Sequence, residues 1–209
     1  AASQIKQLES QFNPHFLYNT LENIRYMCRI EPEIAAKMVF SLSSLLRYSL
    51  DGSREEVTLR EDLDHLENYL TILKYRFNRR FSYEIDVEPQ ALACRIPKLV
   101  LQPMIENSVK YGFGNQETLR VELKVYIHEG RLTMICRDDG VGMTPQTLSE
   151  LTALLGQKEN RSRHSGLYNI HRRIEILYGR PYGVEIRSTE GHGTTLIVTL
   201  PANTEEKEC

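Results

Sequence analysis

The chain has 209 residues, of which 26 are basic and 28 acidic, giving a formal net charge of -2. That length allows one large domain or a domain plus a helical module, and the balanced charge supplies no field that would recruit nucleic acid. The four cysteines, Cys28, Cys94, Cys136 and Cys209, include no C-x-x-C pair, which argues against a zinc site or a disulfide framework and for a reducing compartment.

No apolar run approaches the roughly 18 residues of a membrane span, and nothing after Ala1 resembles a signal region. Starting without Met and directly in a helical pattern, the chain reads as a piece of something longer. Up to Asn78 there is one glycine, Gly52, and the apolar spacing predicts three helices: one to about Arg29, one from about Pro32 to Leu50, and one from about Thr58 to Asn78. The first has an early stripe (Ile5, Leu8, Phe12, Phe16) and a later one (Leu17, Leu21, Ile24, Cys28) displaced by about 100°, so its buried face is expected to change at His15. Pro14 removes an amide donor and collides with the carbonyl of Ser10, which predicts a kink costing about 3 kcal/mol. His15 and Asn19, four apart, share a face. A capped break between two short helices, with a surface histidine by chance, accounts for the same residues.

The second helix carries Ile34, Met38, Leu42, Leu45 and Leu46. The third opens on Thr58 and Glu61, spaced as a capping box, and its leucines at 59, 63, 66, 70 and 73, with Phe77, step in fours and threes, a seam that calls for a helical partner. From Phe81 the period changes to two. "FSYEIDV", Leu119–Ile127, Leu132–Cys136 and Leu196–Leu200 alternate as half-buried strands, and Glu129-Gly130 supplies a hairpin turn. Helical stretches at about Lys98–Tyr111, Gln146–Leu155 and Gly166–Tyr178 complete a two-layer α/β sandwich. Within it, "RDDGVGM" places Asp138, Gly140 and Gly142 where a strand enters a loop, and such glycines let a ligand approach the backbone. Gly166 opens a helix whose free amides suit an anion. Asn107 and Lys110 lie one turn apart, an amide oxygen suited to a magnesium shell and an ammonium suited to phosphate. A tight turn, plain capping by Ser165 and a polar outer face explain each of these singly.

Taken together and in order, "NPHFLYNTLENIR", "LSSLLRYSL", "VTLREDLDHLENYL" and "PKLVLQPMIENSVKYG" resemble the LytS/YesM-like family of bacterial two-component sensor histidine kinases, from about Gln4 to Pro201. The resemblance implies an α+β chain. Residues 1–78 would be a helical dimerisation and phosphoacceptor module, 79–203 an ATP-binding sandwich of the GHKL/Bergerat type shared with gyrase, the Hsp90 chaperones and MutL, and 204–209 a tail. His15 matches the phospho-accepting histidine and Asn19 the polar residue contacting the phosphoryl group. Asn107 matches the ligand of Mg2+ on the ATP phosphates, with Lys110 beside it. Asp138 matches the aspartate that meets the adenine amino group, Gly140 and Gly142 the loop under the nucleotide, Gly166 and Leu167 the phosphate segment below a lid at about Met143–Ser165, and Thr194 a threonine near adenine.

The implied partners are a second copy of the chain, paired through the first two helices as a four-helix bundle, and a response regulator accepting phosphate on an aspartate. Neither nucleic acid nor a membrane contact is implied, apart from a membrane sensor preceding this cytoplasmic portion. Two positions depart from the wider pattern. Phe16 stands where many histidine kinases carry an acid, and His164 stands two residues before Gly166, where another glycine is usual. A dimeric ATP-binding regulatory module with weak or no kinase activity is the alternative, as is a hydrolysing ATPase using Glu106.

Overall fold

The computed structural model describes residues 14–156 and 166–204. Helix α1 (Pro14–Ile30) and helix α2 (Pro32–Leu50) form a hairpin around the single residue Glu31, with Pro32 at the start of α2, where its missing amide costs nothing. The early stripe at Ile5, Leu8 and Phe12, and the Ser10 carbonyl expected at the kink, lie outside the described residues. From Pro14 onward the buried face of α1 is Phe16, Thr20 and Ile24, with Met27 packed against it. The expectation of a Leu17–Leu21–Ile24–Cys28 stripe is therefore corrected in part. Leu21 is 55 % exposed and Cys28 is exposed, because the side of α1 that carries Phe16 docks on the third helix.

Strand β1 (Glu56–Thr58) leads into helix α3 (Leu59–Phe77), where the Thr58 hydroxyl accepts the Glu61 amide at 3.2 Å and the Glu61 carboxylate accepts the Thr58 amide at 2.8 Å. This is the capping box expected from the sequence. Leu59, Leu66, Leu70 and Leu73 are buried as the seam predicts, but so are Tyr69 and Ile72. Helix α3 is wrapped on more than one side, touching α1 and α2 as well as the sandwich that follows, so it joins the two parts rather than merely extending the hairpin.

After the short helical turns Asn78–Arg80 and Pro89–Ala93, the sandwich is built on β2 (Phe81–Val87), β4 (Leu119–His128), β5 (Arg131–Asp138), β6 (Gly183–Ser188) and β7 (Thr194–Pro201), in the order β2-β4-β5-β7-β6. Strand β2 runs parallel to β4, and the other pairs are antiparallel. Glu129 (φ 48°) and Gly130 (φ 72°) make the tight β4–β5 hairpin, both in the left-handed region a two-residue turn of this hand requires. Strand β3 (Arg95–Pro97) pairs with β1 in a separate ribbon at the foot of α3. Helices α4 (Leu101–Tyr111), α5 (Pro145–Leu155) and α6 (Gly166–Tyr178) supply the second layer. Val121, Leu123 and Val125 on β4, Leu132, Met134 and Cys136 on β5, and Leu196, Val198 and Leu200 on β7 form the buried face, while the intervening Arg120, Glu122 and Lys124 are exposed. Leu123, Cys136 and Leu196 stand side by side across three strands, as the register requires. The architecture is α+β, helices first and a two-layer sandwich after. No helix among the described residues is long and apolar enough to cross a membrane.

Candidate active site

The alternation that buries Leu132, Met134 and Cys136 continues one step further and puts Asp138, a carboxylate, on the same inner face at the end of β5, 3 % exposed. Its Oδ1 accepts the amides of Gly140 and Thr194, each at 3.0 Å, and the Ser108 hydroxyl adjoins the carboxylate. Burial pushes this carboxyl above the ordinary aspartate value, and those three donors hold it down in part. A buried carboxylate held this way presents acceptor capacity to a donor entering from outside, such as an exocyclic amine.

The loops around Asp138 come together by backbone-to-backbone contact. A Cβ at Gly140 would lie 2.5 Å from the Cα and the carbonyl oxygen of Gly112, and one at Gly142 (φ 68°) would lie 2.0 Å from the carbonyl oxygen of Thr189. The sequence marks both glycines as places for a ligand to approach; in the structure the space they save is taken by neighbouring main chain. Gly193 (φ 78°) does the same against the Asp138 carbonyl. Thr194 is buried, its hydroxyl 2.9 Å from that of Ser188, which donates to the Gly193 carbonyl and accepts the Met143 amide at 2.9 Å. Ser108, Gly112, Ser188 and Gly193 thus belong to the site and were not singled out from the sequence. Their only signals were a small residue one position after Asn107, the glycine ending α4, and the glycine-rich run before Thr194.

Helix α4 carries Asn107 and Ser108 on its buried side. The Asn107 side-chain nitrogen is buried and has no hydrogen-bond partner among the described residues. An orphaned buried amide is costly, and rotating the carboxamide would offer its oxygen in the same place, which fits a polar ligand or a metal shell. Lys110 is exposed, its ammonium 4.9 Å from the ring centre of Tyr111. Glu106, half-buried, accepts the Gln102 side-chain amide at 2.9 Å, and burial pushes its carboxyl up to about 7 against the opposing pull of Gln102 and Lys110. Gly166 opens α6 beside α4, where a Cβ would stand 3.3 Å from Pro103, and Leu167 is buried. His164 and much of the expected lid lie outside the described residues.

On α1, His15 is exposed and Asn19 is half-buried. The Asn19 side-chain nitrogen is 3.0 Å from Nδ1 and 3.2 Å from Nε2 of His15, so the amide lies across the imidazole, as their spacing on one helix face predicts.

The site is thus an antiparallel-rich sheet with a buried aspartate ending one inner strand, roofed by a helix that carries a buried asparagine. Residues 95–204 match the family model described as histidine kinase-, DNA gyrase B-, and HSP90-like ATPase, and residues 3–81 match the one described as histidine kinase. The chain belongs to the sensor histidine kinase family. It is similar to the sensor histidine kinase YesM of Bacillus subtilis (strain 168), 35 % identical over 207 residues covering 97 % of this chain and 34 % of that protein. It is also similar to the sensor protein kinase HptS of Staphylococcus aureus (strain USA300), 33 % identical over 198 residues covering 95 % and 38 %. The chain thus spans little more than a third of the length of these relatives. Among solved structures, the histidine kinase domain of the Erythrobacter litoralis EL346 blue-light activated histidine kinase aligns at a TM-score of 0.51 and 15 % identity over 97 % of this chain and 96 % of that one. The catalytic domain of histidine kinase ThkA aligns at 0.51 and 15 % over 70 % and 95 %. At that identity these two share the fold.

Proposed function

We propose that the chain is the catalytic portion of a two-component sensor histidine kinase, which binds Mg-ATP in the sandwich, transfers the γ-phosphoryl group to His15 and passes it on to an aspartate of a response regulator. The observation that carries the reading is the buried Asp138 carboxylate, braced by Gly140 and Thr194 on a sandwich whose helix α4 also holds the Asn107 amide, without a partner among the described residues. In this reading Asp138, with Thr194 beside it, receives the adenine amino group. Gly140 and Gly142 shape the loop beneath the nucleotide. Gly166 and Leu167 face the phosphates at the start of α6, and Lys110 swings from Tyr111 to meet them. Asn107 holds Mg2+, which supplies charge neutralisation on the phosphate oxygens when bound.

A ring nitrogen of His15 forms the new bond to the γ-phosphorus, the bond from that phosphorus to the bridging oxygen breaks with its electrons leaving on ADP, and the ring proton passes to solvent. Neutral imidazole is an adequate nucleophile near neutral pH, and Asn19 steadies it and meets the incoming phosphoryl group. The hairpin supports a homodimer: Leu21 and Tyr26 on α1 and Val39 and Phe40 on α2 are between 48 % and 70 % exposed, and two hairpins combined as four helices would bury them. The chain would then lie on the cytoplasmic side of a membrane receptor whose sensor part receives the stimulus.

Glu106 favours a second reading. A half-buried carboxylate held by Gln102 and adjoining Asn107 is where a hydrolysing ATPase would place the base for water. Incubation with γ-labelled ATP and magnesium separates the readings. The kinase gives an acid-labile, base-stable label on the protein that is lost in His15→Gln and Asn107→Ala. Free phosphate with no protein label supports hydrolysis, and binding with neither product supports a regulatory module.

A further inference from the structure

Asp62 lies in the first turn of α3 and is 1 % exposed. Its carboxylate accepts three successive backbone amides from the other part of the molecule: Leu99 at 2.8 Å on Oδ1, and Val100 at 3.1 Å and Leu101 at 3.0 Å on Oδ2. These amides open helix α4, which has no capping side chain of its own. A carboxylate at a helix start both satisfies the orphan amides and lies favourably in the helix dipole. Here it comes from 37 to 39 residues away rather than from the adjoining turn. The chain bends to present the amides, since Leu99 takes φ 63°, a conformation leucine avoids unless the surroundings impose it.

The same carboxylate is bonded from a third direction. Tyr48, near the end of α2 in the hairpin, donates its hydroxyl to Asp62 Oδ1 at 3.1 Å and stacks on His65 with ring centres 4.2 Å apart. Burial and the adjoining Asp62 charge push its phenol well up, so it stays a donor at any working pH. The Lys98 ammonium sits 4.4 Å over the Tyr48 ring and donates to the Asp51 carbonyl at 2.5 Å. The Lys98 carbonyl accepts the guanidinium of Arg173 on α6. One tyrosine of the hairpin therefore meets the carboxylate that seats α4 and the lysine whose carbonyl is tied to α6.

We propose that Asp62 is the positioning residue that sets helix α4, and with it Asn107, and that the Tyr48 hydroxyl makes this setting depend on where the hairpin lies. The role rests on reading Asn107 as a residue of the nucleotide site. Helix α4 is only 11 residues long, so a shift at its capped end is carried to Asn107. A cap that served stability alone would not need a donor from the hairpin.

The test uses the whole chain, Asp62→Asn and Tyr48→Phe, with two readouts: amide hydrogen exchange at Leu99–Leu101, and affinity for ADP with magnesium and with chelator. Asp62→Asn is expected to speed exchange at the three amides about tenfold or more, the range for losing hydrogen bonds to a charged group. It is expected to weaken magnesium-supported binding at least fivefold while changing binding in chelator less than twofold. Tyr48→Phe, which keeps the ring stack, gives the same pattern at smaller size, and it decides the matter if Asp62→Asn fails to fold. Wild-type exchange and an unchanged magnesium dependence in both variants overturn the positioning role alone. A wild-type chain that binds no ADP under either condition overturns the nucleotide reading, and this role with it.

Discussion

Phe16 and Tyr69 lay their rings 5.3 Å apart at an angle of 43°, joining α1 to α3 one residue beyond His15. Tyr69 is 2 % exposed and Phe16 6 %. The contact gives a physical role to the residue that stands where many histidine kinases carry an acid: it clamps the His15 turn to the helix that also holds the sandwich. Phe16→Ala is expected to lower stability by about 3 kcal/mol, the lower end for a buried phenylalanine, and to slow labelling of His15 more than it weakens ADP binding. Urea midpoints, labelling rates and ADP affinities measured together check this. Equal losses in labelling and affinity would count against the clamp.

The glycines offer an internal control. Gly142 and Gly130 have nearly the same φ, 68° and 72°, but a Cβ at Gly142 would sit 2.0 Å from the Thr189 carbonyl oxygen, while one at Gly130 meets nothing within 4 Å. Alanine at Gly130 bears only the backbone strain, about 1 kcal/mol. Gly142→Ala must in addition push apart the loops beside Asp138. It is expected to destabilise the chain by at least 2 kcal/mol more than Gly130→Ala and to lower ADP affinity, which Gly130→Ala leaves alone. Thermal melts and calorimetric titrations of the two variants make the comparison.

Period-two alternation identified β4, β5 and β7, and the Thr58–Glu61 spacing identified the start of α3, because both are local rules acting within a few residues. Strand β6 is not legible because Gly183–Ser188 is short, glycine-led and buries only Val184 fully, and the β1–β3 ribbon is not because three-residue strands show no period. The stripe that the α1 sequence suggests takes in Leu21 and Cys28, because the sequence alone does not say from which side α3 arrives. Asp138 and Gly140 stand out in the D-x-G-x-G run, whereas Thr194 is marked only by the family resemblance. The mutual contacts that explain them span up to 56 residues, and the reach of Asp62 to Leu101 is equally non-local.

Asp138→Asn tests the adenine end directly. The substitution keeps the shape and one acceptor, so the amides of Gly140 and Thr194 can remain bonded, but it removes the charge that these two backbone donors now satisfy. The fold is expected to persist with a loss of about 1–2 kcal/mol, and ADP affinity to fall about tenfold or more, with no comparable effect on a purine nucleotide lacking the exocyclic amine. An affinity loss shared equally by both nucleotides would place Asp138 in the scaffold rather than against the base.

His65 provides the pH test. Its Nε2 lies 2.6 Å from the Gln102 side-chain oxygen, and its Nδ1 is buried with no partner among the described residues. Burial holds its pKa below the ordinary value of 6.5, the Asp62 charge and Gln102 pulling it back in part and Lys98 pushing it further down. The unfolded chain therefore takes up this proton more readily than the folded one. The contribution of neutral His65 is full above about pH 6.5, declines as pH falls below that value, and levels off below the folded pKa. His171, also held low by burial, adds a slope of the same sign, so the wild-type curve alone does not isolate His65. Glu106, pushed up to about 7 by burial, adds a slope of the opposite sign, and His65→Gln removes only the His65 slope: the wild type's stability advantage over the variant is expected to shrink as pH falls from 8 to 5, as read from urea midpoints. A difference independent of pH would mean that His65 takes up its proton equally in the folded and unfolded states, and that the stack on Tyr48, not the proton, is what the side chain contributes.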